Sequence, residues 1–412
     1  MAALVAPRPL LISNTDKDRI FPLDGVVDVY TKTRRIYELY GKLNHIGLQI
    51  TEGPHKDTQE LRIHAFHWFN HFLKGEKPLI DTTAVKMFEP KQLKVFDKLP
   101  SDEINTEIQE SFTKLAEPAA VPVSADEWSQ QKRQWMAALK SRSFRGWPDE
   151  PGELDVKLAF EAESNGISFA ALDFTSQNHI RLRVYLAKRD GVANQDLDLI
   201  VLNVLDEEDW DEFLAMMQVG FADQLKGEHL PKPNVEEFNS HAKMFKAFKW
   251  GMAYVAPRGI GPTAWDQSKR KQTQHRRRFN LLGQTQDGMR VWDVRRAIQA
   301  LRVVPDVNSV PLWIQSERAM AGVALYASLF EPSITRLDLH YLPTSHREGP
   351  IFLNVQRFLD IPQAIAMATE RSKVRIYQNG TKGWSFAQDA AKKLDWPEKQ
   401  LQVRDMTPRK ER

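Results

Sequence analysis

Asp18 and His55 are the residues whose types and placing could do chemistry. Asp18 closes an acidic turn, Asp16-Lys17-Asp18, that follows the apolar run Leu10-Leu11-Ile12. His55 lies in a Gly53-Pro54-His55 turn that follows a second apolar run, Ile46 to Thr51. A carboxylate that orients an imidazole is the acid–base half of nucleophilic acyl chemistry: the imidazole takes the proton of a hydroxyl, and the carboxylate stabilises the cation that forms. The order acid then His, each after its own strand, is the second half of a Ser…Asp…His set. Both residue types also serve as ordinary turn caps, through hydrogen bonds to local backbone.

The elements that must position this pair follow from periodicity. Val26, Val27, Tyr30, Ile36 and Leu39 recur at helical spacing, which predicts a helix from Leu23 to Tyr40 with Gly41 as its stop. Thr58 to Leu73 reads as a second helix that ends before Gly75 and Pro78. Residues 1 to about 78 are thus one strand-helix-strand-helix unit. The carboxyl ends of its parallel strands are where an open α/β sheet places ligands. Two parallel strands leave both edges open and cannot bury both faces, so the unit needs a covering surface, either a partner chain or the rest of this one.

At these residues the chain resembles the α/β-hydrolase superfamily, in particular its acetyl xylan esterase-like and dienelactone hydrolase-like members. The resemblance rests on Ala6-Pro7-Arg8-Pro9-Leu10-Leu11-Ile12, then Asp16-Lys17-Asp18-Arg19-Ile20-Phe21-Pro22. In that pattern the acid is the Asp four residues before the Pro, here Asp18, and the base is His55. The resemblance implies hydrolysis of a carboxylic ester, on a small molecule or a carbohydrate, through a Ser acyl-enzyme. It places that Ser on an earlier strand, whereas the sequence starts at Met1, just before the strand of the acid. The expectation is therefore the C-terminal part of a serine hydrolase, inactive alone because the nucleophile lies upstream.

From Glu153 onward strands and helices alternate, which predicts a doubly wound, mostly parallel sheet. Expected strands include Ile180 to Ala187 (antiparallel and near an edge), Leu197 to Leu205, Gly251 to Val255, Val310 to Ile314, Thr335 to Leu339, Val374 to Tyr377 and Leu401 to Val403. Arg277-Arg278-Phe279-Asn280-Leu281-Leu282-Gly283-Gln284-Thr285 with Asp287-Gly288-Met289-Arg290-Val291-Trp292-Asp293 resembles the second hydrolase-like domain of tandem acetyl xylan esterase-like proteins. The fold class expected is α/β: a partial hydrolase unit of two strands and their helices, then a degenerate hydrolase-like domain. The expected boundaries are 1–80 for the first, 81–152 for a connector with a helix start at Ser101 and a helix from Trp128 to Leu139, 153–406 for the second, and 407–412 for a disordered tail.

A nucleophile elbow in the second domain would follow Val310 to Ile314. Its strained turn needs small neighbours two positions either side of the nucleophile. Ser316 is flanked by Ile314 and Arg318, both bulky. Ala319, with Ala321 and Gly322 after it, fits the spacing but has no nucleophilic atom. The last His, His346, precedes both final strands, so no complete triad is expected there. Two alternatives stay open: a permuted esterase using Ser316 with His55 and Asp18, and a non-enzymatic module binding a carbohydrate or a partner chain. The second draws on the 11 Trp, among them Trp250, Trp265, Trp292 and Trp313.

Composition bounds the rest. The 412 residues carry 57 Lys and Arg against 54 Asp and Glu, a net +3, so no global field selects nucleic acid or an anionic membrane. With no Cys, disulfides, thiolate nucleophiles and Cys-ligated zinc are excluded. His64, His67 and His71 have metal-like spacing but alternate with Phe66, Trp68, Phe69 and Phe72, as in a covering helix, so neither a metal nor a cofactor is expected. The runs Lys269-Arg270-Lys271 and Arg276-Arg277-Arg278 read as a solvated face, and Asp206-Glu207-Glu208-Asp209 as their acidic counterpart. Gly259-Ile260-Gly261-Pro262 is a weak oxyanion-type signal. No leader and no membrane span are evident, which predicts a cytoplasmic protein as written, or a secreted or periplasmic one if an upstream signal is missing.

Overall fold

The apolar runs at either end of the first helix form a parallel pair, β1 (Leu10–Thr15) and β2 (Ile46–Thr51), with Leu10 opposite Ile46 and Thr15 opposite Thr51. The computed structural model describes residues 1–81, 83, 88–266, 268–380 and 382–405. Contacts divide the chain into two units, Met1–Thr106 and the part from Glu107 onward. The expected tail, 407–412, lies outside the described residues.

In the first unit α1 (Leu23–Leu39) crosses from β1 to β2, and α2 (Gln59–Phe69) follows β2. Thr58 caps α2 by accepting from Leu61 N–H, as its position before the apolar run requires. Gly75, at φ 72°, closes the widened turn Asn70–Lys74 after α2. Gly47 lets the helix come close: a Cβ there would meet the Trp68 ring at 2.9 Å. The apolar groups that this unit buries fully are few. Tyr37 and Ile46 qualify, while Leu10, Leu11 and Ile12 are half-buried and Val27, Val29 and Leu39 are exposed.

The second unit opens with helices α3 (Ile108–Phe112) and α4 (Ala125–Ala138). No helix starts at Ser101: the chain there makes turns, and the short α3 begins at Ile108. The helix expected from Trp128 starts earlier, after Ser124, whose hydroxyl accepts from Glu127 N–H. Trp128, Trp135, Leu139 and Phe144, within the segment expected to be a connector, are buried in the second unit's core. Lys132 bonds Glu370 at 2.6 Å, and Ser143 bonds the Leu353 carbonyl at 2.7 Å.

The sheet that follows is made of β3 (Lys157–Ser164), β4 (Ile167–Gln177), β5 (Ile180–Arg189), β6 (Leu199–Val204), β7 (Trp250–Val255), β8 (Leu312–Glu317), β9 (Ile334–His340), β10 (Lys373–Gln378) and β11 (Leu401–Asp405). Its order is β11-β10-β9-β8-β6-β7-β5-β4-β3. The strands from β6 to β11 are mutually parallel, and β3, β4 and β5 form an antiparallel extension joined to β7. β5, expected to be antiparallel and near an edge, is antiparallel to both neighbours and third from the β3 edge, because β4 and β3 add beyond it. Arg183 of β5 bonds Asp173 of β4 at 2.6 Å.

The helices of this unit are α5 (Glu207–Phe221), α6 (Val235–Ala247), α7 (Lys269–Leu281), α8 (Gln286–Arg302), α9 (Arg318–Phe330), α10 (Ile361–Thr369) and α11 (Ser385–Lys393); α7 buries no side chain, and α11 packs on α10. α9 and β6 are buried along almost their whole length, which is why both read as unbroken apolar runs. A buried ion pair fastens α8: Asp293 accepts from Arg258 Nη2 at 2.7 Å and Nε at 2.8 Å, from Arg258 N–H at 3.0 Å, and from the Ser176 hydroxyl. Saturating both carboxylate oxygens is what makes a fully buried charge tolerable.

Candidate functional site

The turn after β1 folds back on its own carboxylate. Asp18 Oδ1 accepts from Ile20 N–H at 2.7 Å and from Phe21 N–H at 3.0 Å, the local bonding that short acidic side chains favour. Asp18 Oδ2 then accepts from His55 Nδ1 at 2.7 Å. The two turns are tied together around this bond. Thr15 donates to the Pro54 carbonyl at 2.8 Å, Gly53 N–H donates to Asp16 at 2.8 Å, and Lys17 N–H donates to the Gly53 carbonyl at 3.0 Å. Phe21 lies beside the imidazole, with ring centroids 5.9 Å apart. The two sequence-predicted site residues are therefore brought together, at the adjacent tips of neighbouring parallel strands.

The electrostatics follow. The Asp18 side chain is 4% exposed, and that burial alone would raise its pKa. The His55 bond and the Phe21 and Ile20 N–H groups outweigh it, and the pKa ends below the ordinary carboxylate value. Asp18 therefore stays ionised and accepts only, so His55 carries its proton on Nδ1. His55 Nε2 meets no hydrogen-bond partner among the described residues, and the side chain is 54% exposed. An imidazole so held offers an accepting nitrogen, the arrangement a general base requires.

The covering helix does not assemble a metal centre. His64 Nδ1 bonds the Glu60 carbonyl at 3.0 Å, and His71 packs edge-on against Phe72. Among the described residues no three His, Asp or Glu side chains converge as metal ligands.

In the second unit the strand-to-helix turn falls between the two positions weighed from sequence, two residues after Ser316 and one before Ala319. β8 runs to Glu317, and the residue with strained backbone is Arg318, at φ 53°. Neither Ser316 nor Ala319 holds that place. Ser316 is 3% exposed and donates its hydroxyl to the Val204 carbonyl at 2.7 Å, so its proton is committed to the neighbouring strand. Gly322 serves packing: a Cβ there would meet Pro350 Cδ at 2.4 Å. His346, in the loop after β9, is buried between Tyr326 and the Pro350 carbonyl, each 2.7 Å from one ring nitrogen. The carbonyl can only accept, so Nδ1 carries the proton and Nε2 accepts from Tyr326.

Arg318 is the functional-looking residue that sequence reasoning missed. Its guanidinium bonds Asp206 through Nε at 2.7 Å and Nη2 at 2.8 Å, Asp209 at 2.9 Å and Glu317 at 3.0 Å. Asp206 also caps α5, with Asp209 returning the bond. Burial would raise the Asp206 pKa, but Arg318 and the cap lower it overall. Asp209 is pushed up to about 6, first by burial and next by the Asp206 carboxylate. The acidic run 206–209 is thus answered by Arg318, whereas the basic runs sit on the exposed face of α7. The available signal was the strand's alternation: Leu312, Ile314 and Ser316 continue one face past the point where apolar residues stop.

The sequence has 11 Trp. Trp128, Trp135, Trp210, Trp292 and Trp384 are buried, and the others are half-buried.

No protein-family model and no curated protein matches the sequence. Solved structures do match. A putative acetyl xylan esterase from Bacteroides fragilis superposes with a TM-score of 0.56 at 9% identity, over 73% of this chain and 81% of that one. The chain has an α/β-hydrolase-type fold. A glucuronoyl esterase from Solibacter usitatus matches with a TM-score of 0.47 at 13% identity, over 68% of this chain and 84% of its own. Acetyl xylan esterase 1 from Thermoanaerobacterium sp. matches with a TM-score of 0.38 at 10% identity, over 72% of this chain and 91% of its own. No helix among the described residues is long and apolar enough to cross a membrane.

Proposed function

We propose that this chain carries the acid–base half of a serine-type carboxylic ester hydrolase, with the attacking Ser supplied by polypeptide outside these 412 residues. The observation that carries the reading is the Asp18–His55 bond of 2.7 Å, with Asp18 saturated by backbone N–H groups and His55 Nε2 left to accept. His55 takes the hydroxyl proton as Ser attacks the ester carbonyl, and returns it to the departing alcohol. Asp18 keeps the imidazole in one tautomer and stabilises its cation. The hydrolase-type fold and the neighbour described as a putative acetyl xylan esterase support an acetylated carbohydrate as the substrate class. The second unit is a degenerate member of the same fold, with Arg318 at the elbow in place of a nucleophile.

Fluorophosphonate labelling tests this. The 412-residue chain is expected not to label. A chain extended by its in-frame upstream strand and elbow is expected to label and to hydrolyse 4-nitrophenyl acetate, both lost in His55→Ala. Labelling of the 412-residue chain at a Ser of the second unit would refute the reading.

A further inference from the structure

A cavity of about 280 Å³ lies between α7 and the N-terminus of α8, and every residue that lines it belongs to the second unit. Arg276, Arg277 and Asn280 reach it from α7, Gln286 and Asp287 from the first turn of α8, and Ile351 gives it an apolar side. Arg276 and Arg277 are exposed, and neither has a hydrogen bond or an ion pair among the described residues. Thr285 caps α8 by accepting from Gly288 N–H, which leaves the first N–H groups of this 17-residue helix outside its own ladder. Two guanidinium groups and a helix N-terminus thus border one small space, and each favours an oxyanion there.

A second observation is independent of the charges. Gln286 is 9% exposed, and neither atom of its amide has a hydrogen-bond partner among the described residues. The amide is not sealed in the interior: it keeps accessible surface on the cavity it lines. Buried amides are rarely left unpaired, and one at a cavity wall can both give an N–H and accept an O–H. Asp287 constrains the rest of the ligand. Its carboxylate accepts from Ile351 N–H at 2.8 Å and from Arg290 at 3.4 Å, and keeps lone pairs for a hydroxyl. It opposes a second anionic group but not an O–H donor. The wall therefore suits a single oxyanion carried on a small hydroxylated body, and a space of 280 Å³ lies at the low end of ligand cavities.

We propose that this cavity binds a sugar phosphate, its phosphoryl group on Arg276, Arg277 and the α8 N-terminus and its hydroxyls on Gln286, Asn280 and Asp287. The inference rests on the second unit alone and survives if the ester chemistry fails. Isothermal titration of the full chain with glucose 6-phosphate tests it, with glucose and inorganic phosphate as the probes that carry one half each. Saturable 1:1 binding of glucose 6-phosphate is expected, with none of glucose and binding of inorganic phosphate about ten-fold weaker or more. Arg276→Gln with Arg277→Gln, which breaks no bond of the fold, should weaken glucose 6-phosphate about a hundred-fold. Gln286→Leu removes an amide that has no protein partner and should weaken it about ten-fold. Lys269→Gln with Arg270→Gln, on the same helix but away from the cavity, should leave it unchanged. Absence of saturable heat at millimolar glucose 6-phosphate overturns the proposal. So does inorganic phosphate binding equally well, or binding that Gln286→Leu leaves unchanged. A loss in the Lys269 and Arg270 pair equal to that in the Arg276 and Arg277 pair also overturns it, because that would be adsorption to surface charge.

Discussion

The two units differ in what stands at the ends of their parallel strands. In the first, the tips of β1 and β2 keep an acid and an imidazole 2.7 Å apart on a scaffold whose fully buried apolar groups, among the described residues, are Tyr37 and Ile46. In the second, a nine-stranded sheet with an extensive core keeps the strained strand-to-helix turn, but the residue there is Arg318, bonded to Asp206, Asp209 and Glu317. The difference teaches that reactive geometry and fold stability are separable. A hydrogen-bonded pair of turns preserves the first, and burial of apolar surface preserves the second.

The largest expected effect sharpens the comparison on the first unit. In a nucleophile-complete protein, Asp18→Asn should lower kcat about 10⁴-fold, as loss of the orienting carboxylate does in the Ser-His-Asp template, whereas substitution of Arg318 should leave kcat unchanged. Steady-state hydrolysis of 4-nitrophenyl acetate measures both. Equal effects would make the contrast between the two strand ends false. Next in size, Asp293→Ala strands the buried Arg258 and should cost about 3–5 kcal/mol in urea unfolding, more than any ion pair of the first unit could.

Gly322→Ala forces a Cβ to within 2.4 Å of Pro350 and should cost about 1–3 kcal/mol by overpacking. Its counterpart in the first unit goes the other way. A Cβ added at Gly25 in α1 would meet nothing within 4 Å, so Gly25→Ala should stabilise by about 0.5–1 kcal/mol. Thermal unfolding of the pair reads the opposite signs.

The second unit's buried titrating groups predict a pH signature. Asp209 has an ordinary value of 3.8 and is raised to about 6 in the fold, so the folded state binds the extra proton between those values. Stability on its account is present at low pH and falls as pH rises through that window. Asp209→Asn should flatten that limb of a Tm-against-pH curve. His346 is lowered by burial, so its contribution has the opposite slope: it is full above its ordinary value of 6.5 and is lost as pH falls below it. Tyr326→Phe, which removes the O–H donated to Nε2, should weaken this limb.

Much of the site was legible because its signals are local. Asp18 and His55 each follow an apolar run within a few residues, and the turn chemistry of Asp and of Gly-Pro confines where they can lie. The first helix, α1, with its clear periodicity, was also legible. The end of β8 was not, because polar residues continue the strand: Gln315 and Ser316 pair opposite Asn203 and Val204 of β6. The helix expected at Ser101 failed for the opposite reason: a good cap was followed by no apolar stripe to bury.

By itself the sequence determined the strand-helix-strand-helix order of the first unit, the parallel pairing of β1 with β2 and the two residues at their tips, since short-range periodicity and turn preference act along the chain; it did not give the consecutive antiparallel strands β3 and β4, where strands and helices were expected to alternate. Only the tertiary structure decided which residue occupies the strained turn of the second unit, which carboxylates share Arg318, and that Ser316 gives its proton to Val204. Those outcomes depend on register between strands far apart in sequence, where a shift of one residue turns every side chain to the other face.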